Sequence, residues 1–246
     1  MADRFAALDQ RARALAAAFW PGPITVVVPV RDAAVVCDLA RAGLDTVAVR
    51  APSHPLARAV IEALGRPVVA PSANRSGRPS PTNFADAVAE TGEAAAIALD
   101  GGDCAVGLES TVVALLDDRP RLLRPGPVTR AEVERLIGPL GEAEADARRS
   151  PGRLARHYAP TSPVRLDAEK PAPGEAYLAF GSAPEAPAVF NLSPGADLRE
   201  AAARLFSALR AADALRPTAI AVAPIPDHGL GEAINDRLRR AAGYVG

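Results

Sequence analysis

The stretch Ala70-Pro71-Ser72-Ala73-Asn74-Arg75-Ser76-Gly77-Arg78-Pro79-Ser80-Pro81-Thr82 gathers hydroxyls, an amide and two arginines into one loop, delivered by a short β-branched run. In α/β enzymes ligands sit beyond the carboxyl ends of strands. Hydroxyls and loop N–H groups placed there can hold phosphate oxygens, and arginine adds a bidentate charge. Ser, Asn, Gly and Pro are also turn formers, so on composition alone the stretch reads first as a surface turn. Arg50 closes the apolar run Val47-Ala48-Val49, where a cation suits a ligand carboxylate, although a lone strand-end arginine is more often simply solvated. Gly107-Leu108-Glu109-Ser110-Thr111 brings polar side chains to the point where a glycine loop enters a strand. Arg124-Pro125-Gly126-Pro127 sets an arginine where the next strand ends. Three strand ends carrying Ser or Arg argue for a phosphate or carboxylate pocket more strongly than any one of them. His54 has no His or Cys partner at metal-ligand spacing and reads as a loop or helix-start residue.

The elements that must position these residues follow from periodicity. Residues Asp3 to Phe19 read as a helix, with Phe5, Leu8, Ala12, Leu15 and Phe19 forming one apolar stripe. Strands are expected over Ile24–Val28, Thr46–Arg50, Val68–Ala70 and Ala96–Leu99, and helices over Pro55–Leu64 and Phe84–Glu90. Ser110–Leu116 and Arg121–Leu123 read as a hairpin around Asp117-Asp118. Thr129, with Glu132 three residues on, forms a capping box for a helix running to Ile137. Residues 139–175 are rich in Pro, Gly, Glu and Arg and read as a linker. Beyond it, strands Tyr177–Phe180, Val189–Leu192 and Ala219–Ala223 alternate with helices Leu198–Ala212 and Glu232–Ala241, a small α/β domain with parallel strands that should fold by itself.

The 246 residues are 49% hydrophobic and 23% charged with a formal net charge of -1, a globular composition without a global basic field for nucleic acid. Aromatics at 4% are too sparse for RNA stacking platforms. Cys37 and Cys104 form no CxxC pair, which argues against a zinc module or disulfide framework. No apolar run approaches the ~18 residues of a membrane span, and a cytoplasmic location is the expectation.

Together these segments resemble the YrdC-like threonylcarbamoyl-AMP synthases of the long two-domain form. Phe19-Trp20-Pro21-Gly22-Pro23-Ile24-Thr25, Val49-Arg50-Ala51-Pro52-Ser53-His54-Pro55, Ala70 to Thr82, Glu109-Ser110-Thr111-Val112-Val113 and Leu123-Arg124-Pro125-Gly126-Pro127 occur in family order and spacing. Ser150-Pro151-Gly152 with Arg156-His157-Tyr158-Ala159-Pro160 resembles the family linker. Asn191-Leu192-Ser193 and the stretch Gly229 to Arg240 resemble its C-terminal domain. The resemblance implies a YrdC-like twisted mixed sheet with helices in a catalytic domain over 1–138, a linker over 139–175 and a small Rossmann-like α/β domain over 176–246. It implies synthesis of threonylcarbamoyl-AMP and pyrophosphate from L-threonine, bicarbonate and ATP, with Mg2+ accompanying the ATP. The product would pass to proteins that transfer the threonylcarbamoyl group to tRNA; strong direct nucleic-acid binding and membrane association are not expected. Carried over by position, Arg50 and Ser110 would hold threonine. Thr46, Ala70, Ser72, Asn74, Ser80, Arg124 and Tyr158 would serve the nucleotide, with Ser150 to Pro160 folding over its pocket.

The sequence departs from the family pattern at its start. A Thr-x-Thr-Tyr-Gly-Leu-like strand and turn and a Lys-x-Arg motif, which in the family precede the first helix, are not found. On that basis the catalytic domain is expected to be incomplete at its N-terminal side and these residues to make little product. A non-catalytic nucleotide-binding relic of the same family is the alternative. A carbamoyl-transfer domain of the hydrogenase-maturation type is disfavoured by the two isolated cysteines.

Overall fold

In the computed structural model, residues 1–142 and 157–243 are described. In chain order they form α1 (Gln10–Phe19), β1 (Ile24–Pro29), β2 (Thr46–Val49), α2 (Pro55–Leu64), α3 (Phe84–Thr91), β3 (Thr111–Ala114), β4 (Arg121–Arg124), α4 (Arg130–Ile137) and β5 (Gly141–Glu142). These are followed by β6 (Val164–Arg165), β7 (Ala176–Ala179), β8 (Val189–Asn191), α5 (Leu198–Ala214), β9 (Ile220–Val222) and α6 (Leu230–Ala241). The chain forms two compact units. One comprises Met1–Pro71 and the residues from Glu109 to 142; the other comprises Ser72–Leu108 and the described residues from 157 onward.

The first unit is built on a mixed sheet in the order β2-β1-β3-β4-β5. Its strands β1, β2 and β3 are short β-branched runs, and alternate side chains of the sheet enter two apolar layers. Val26 and Val28 join Leu15, Val113 and Val133 on the face that carries α1 and α4, while Val27, Val112, Ala114 and Leu123 form a smaller cluster on the other. The expected capping box is present on α4: the Thr129 hydroxyl accepts from the Glu132 N–H, and the Glu132 carboxylate accepts from the Thr129 N–H.

The second unit carries a four-stranded sheet in the order β6-β9-β7-β8. All its pairings are parallel, as strand and helix alternation predicts. The sheet packs under α5 and α6 around Leu178, Leu205, Phe206, Leu209, Ile220 and Ile234. The segment 72–108 belongs to this unit. Gly107 lies so close to α5 that a Cβ there would stand 2.5 Å from the Ala202 carbonyl oxygen, at a φ of +72°.

Three sequence expectations are corrected. The first helix begins at Gln10 and not near Asp3, because the Asp9 carboxylate accepts the Ala12 N–H at 2.8 Å and starts the helix there. The residues ahead of it pair instead with the end of β1, through the Ala6–Val30 bridge and Ala7 N–H to Pro29 O. Val68–Ala70 and Ala96–Leu99 are not strands. Their β-branched and apolar residues have strand propensity, but a strand needs a ladder. Neither segment pairs with another among the described residues, and Val69 and Ile97 are 65% and 78% exposed. Most of the expected lid, Ser150 to Arg156, lies outside the described residues.

Candidate functional site

In the first unit, strand register brings Arg50, Ser110 and Arg124 to one end of the sheet. β1 pairs antiparallel with β2, Val26 opposite Val49, so continuing the register by one sets Arg50 across from Thr25. β1 pairs parallel with β3, Thr25 opposite Val112, which puts Ser110 just ahead of β3 on the same end. β3 and β4 run antiparallel with Val112 opposite Arg124, and the register shifts at Val112/Val113, an irregularity of the kind that re-aims a strand end. Four neighbouring strands therefore deliver Arg50, Thr25, Ser110 and Arg124 in that order.

Side chains tie the cluster together. Thr25 Oγ1 and Ser110 Oγ are 2.7 Å apart. Arg124 donates from Nε and Nη2 to the Ser110 carbonyl at 3.1 and 2.9 Å, and from Nη2 to the Ser110 hydroxyl at 3.2 Å. Ser110 is buried. The following residue, Thr111, anchors the loop after Arg124: its hydroxyl donates to Val128 O at 2.6 Å and accepts from Val128 N–H at 3.0 Å. Gly126 is required there, since a Cβ would stand 2.4 Å from Thr111 N. The Trp20-Pro21-Gly22-Pro23 turn closes the same end, with Gly22 N–H on Ala51 O at 2.8 Å and Thr111 N–H on Pro23 O at 3.0 Å. The surrounding protein partly desolvates the Arg50 guanidinium and lowers its pKa. Arg50 nonetheless keeps a solvent-exposed surface and stays cationic. The result is a cation at the strand end next to a half-buried hydroxyl pair, the equipment for a ligand bearing a carboxylate and a hydroxyl.

Thr46 is not part of this group. It is buried opposite Pro29, at the far end of β2 from Arg50, about 13 Å away at strand rise. Ala70, also in this unit, is exposed.

In the second unit the Ser/Asn loop is folded on itself. Asn74 Nδ2 donates to the carbonyls of Arg75 and Arg78 at 2.9 and 3.2 Å, and Ser80 Oγ donates to Asn74 Oδ1 at 3.4 Å. Ser72 stands exposed at the loop entrance, whereas Ser80 is buried. Behind the loop lies Glu90 of α3, its side chain 4% exposed, in ion pairs with Arg75, Arg78 and Arg210. Burial alone would raise the Glu90 pKa; the hydrogen bonds from Arg75 and Arg210 more than reverse this and hold it at about 2. A cavity of about 850 Å³ opens beside these groups, lined in part by Arg78, Asp86, Thr161, Arg210 and Asp213. Tyr158 is buried within the same unit, its ring 5.4 Å from Phe206 and with the Arg237 guanidinium 5.4 Å over it.

Sequence reasoning missed Thr25, Glu90 and Arg210. A lone hydroxyl inside the run Ile24–Pro29 was a signal for Thr25. Glu90 and Arg210 are 120 residues apart, and no local pattern joins them. Among the described residues no group of three or more His, Cys, Asp or Glu side chains could hold a metal ion. No helix among them is long and apolar enough to cross a membrane.

Comparison with known proteins adds to this geometry. Residues 1–126 match the Sua5/YciO/YrdC family, described as "Telomere recombination", and residues 128–243 match "Threonylcarbamoyl-AMP synthase, C-terminal domain". The chain is 37% identical to the threonylcarbamoyl-AMP synthase of Bacillus subtilis, over 95% of this chain and 73% of that protein. It is 40% identical to the one from Pyrococcus abyssi, over 96% of this chain and 75% of that protein. The crystal structure of P. abyssi Sua5 complexed with L-threonine superposes with a TM-score of 0.88 at 36% identity, covering 97% of this chain and 75% of that one.

Proposed function

Because the chain belongs to the threonylcarbamoyl-AMP synthase family, we propose that its sheet-end cluster holds L-threonine while the Ser/Asn loop serves ATP. The enzyme is a nucleotidyltransferase that makes threonylcarbamoyl-AMP. Its substrates on this reading are L-threonine, ATP and bicarbonate, with pyrophosphate leaving and the product passing to proteins that modify tRNA in the cytoplasm. The observation that carries the assignment is the Arg50, Thr25, Ser110, Arg124 series along four adjacent strands. Arg50 offers a charge-assisted pair to the amino-acid carboxylate, and the Thr25–Ser110 pair faces its polar groups. Arg124, fixed on Ser110, is a cation suited to phosphate oxygens.

Ser72, Asn74 and Ser80 supply hydroxyls and an amide to the nucleotide. The same part for Thr46, Ala70 and Tyr158 rests on the resemblance alone. Phosphoryl-type chemistry of this kind depends on positioning and on charge placed around the transferring phosphorus. Mg2+ would enter as the ATP complex and add charge neutralisation at the phosphates. The domain reading, catalytic over 1–138, linker over 139–175 and C-terminal over 176–246, is retained as part of this proposal. The relic alternative is not favoured, since relatives named for the synthase match along nearly the whole chain.

The test is Arg50→Ala, read by pyrophosphate release with each substrate varied in turn. Losing a charge-assisted hydrogen bond costs about 1.5–3 kcal/mol, so the KM for threonine should rise by roughly ten- to a hundredfold with the KM for ATP little changed. Equal loss for both substrates, or none for threonine, removes Arg50 from the threonine site.

A further inference from the structure

We propose that Arg210 and Glu90 are positioning residues: helix α5 of the second unit, through Arg210, holds the Ser72–Thr82 loop in its ligand-ready shape. The inference rests on the reading that this loop serves ATP, and it gives the C-terminal sheet-and-helix assembly a role in the reaction.

The loop is held at successive points, each by a group outside it. Glu90 Oε2 accepts the Arg75 backbone N–H at 3.0 Å and the Arg75 Nε–H at 3.2 Å. Ala159, at the start of the C-terminal segment, donates its N–H to Gly77 O at 2.8 Å. Arg78 forms ion pairs with Glu90 at 3.4 Å and with Asp213 at 3.9 Å. Arg210 completes the set, with Nη1 on Glu90 Oε1 at 3.0 Å and Nη2 on the Pro79 carbonyl. Asn74 and Ser80, the two loop side chains that bond each other, flank the held segment. One turn along α5 from Arg210, Asp213 accepts the Thr161 and Ser162 N–H groups at 2.9 and 2.8 Å. A single helix face thus grips the loop and the chain entering the second sheet.

Arg210 is the member that cannot be spared. Glu90 is buried and lies on α3, within 15 residues of Arg75, so that bond is local. Arg210 is 120 residues from Glu90 and 131 from Pro79, and its planar fork spans a carboxylate and a backbone carbonyl at once. A lysine in its place keeps the charge but offers one point of attachment. Loop flexibility enters affinity through the fraction of molecules in the competent shape, so releasing the loop weakens nucleotide binding without touching the nucleotide.

The experiment is titration calorimetry of Mg-ATP and, separately, of L-threonine against the 246-residue protein, with thermal melts as a fold control. Arg210→Ala should weaken ATP at least tenfold and threonine less than twofold; Arg210→Lys should recover part of the ATP loss. Should Arg210→Ala not fold, Arg210→Lys and Glu90→Gln carry the test, each with an ATP-selective loss of threefold or more. ATP affinity within twofold of the parent in the folded variants overturns the proposal, whatever happens to the melting temperature. Asn74→Ala separates the two levels: if it too leaves ATP binding unchanged, the ATP reading of the loop has failed, and if it alone weakens ATP, only the brace has failed.

Discussion

The sheet-end cluster and the Ser/Asn loop are held in place by different means. Arg50, Thr25, Ser110 and Arg124 sit where they do because four strands are in register, and each backbone is pinned by ladder hydrogen bonds one or two residues away. The loop from Ser72 to Thr82 has no ladder. Its shape depends on side chains that reach it from α3 and α5, chiefly Glu90 and Arg210. A register-built site is buffered against changes elsewhere, because no single bond defines it. A site braced by side chains is sensitive to residues that never meet the ligand.

Three perturbations probe that contrast, from the largest expected effect to the smallest. Phe206→Ala empties the α5 layer beneath Tyr158, where Phe206 is 1% exposed. It should cost about 3–5 kcal/mol of unfolding free energy in urea titrations, and ATP affinity should suffer before threonine affinity does. A parallel fall of the two, measured well below the unfolding midpoint, would erase the distinction.

Acid reaches the brace through Glu90, and comparison with Glu90→Gln isolates that contribution from the other carboxylates. The Glu90 carboxyl is held at about 2 in the folded protein, against an ordinary value of 4.5. A depressed folded pKa means that its contribution is complete above about pH 4.5 and fades as pH falls from there toward 2. A tenfold change in proton affinity between folded and unfolded chains corresponds to about 1.4 kcal/mol, so a few kcal/mol at most is at stake. Stability measured from pH 6 down to pH 2 should fall less steeply in Glu90→Gln than in the parent; identical slopes would show that Glu90 does not carry this acid sensitivity.

The mildest change is Thr129→Ala, which removes the cap of α4 beneath the register-built sheet. Loss of such a cap costs about 1 kcal/mol. Melting temperature should drop by a few degrees with the KM for threonine unmoved, and a rise in that KM would mean that the ladder alone does not hold the cluster.

The same contrast explains what was legible in the sequence. The β-branched runs of β1, β2 and β3, the hairpin at Asp117-Asp118 and the Thr129/Glu132 box are local patterns that the structure contains. Arg50, Ser110 and Arg124 are legible because each stands at the end of such a run. Asp9, a strong helix cap, outweighs the apolar stripe that would carry the first helix back to Asp3. Val68–Ala70 and Ala96–Leu99 read as strands because propensity is local, whereas pairing is a property of two segments. Glu90 has the sequence context of an ordinary helical carboxylate; its burial and its pairing with Arg210 are decided by a helix more than a hundred residues later.

Gly107, pressed against the backbone of α5, and the segment 72–108 that contains it have a practical consequence for anyone recombining these proteins. The exchangeable piece is discontinuous. A chimera that grafts residues 157–243 from a relative while keeping the host's own 72–108 would set a foreign helix against a glycine fitted to Ala202 and Ala203, and a foreign side chain where Glu90 awaits Arg210. Transplanting both segments together respects the seam; cutting at the sequence boundary does not.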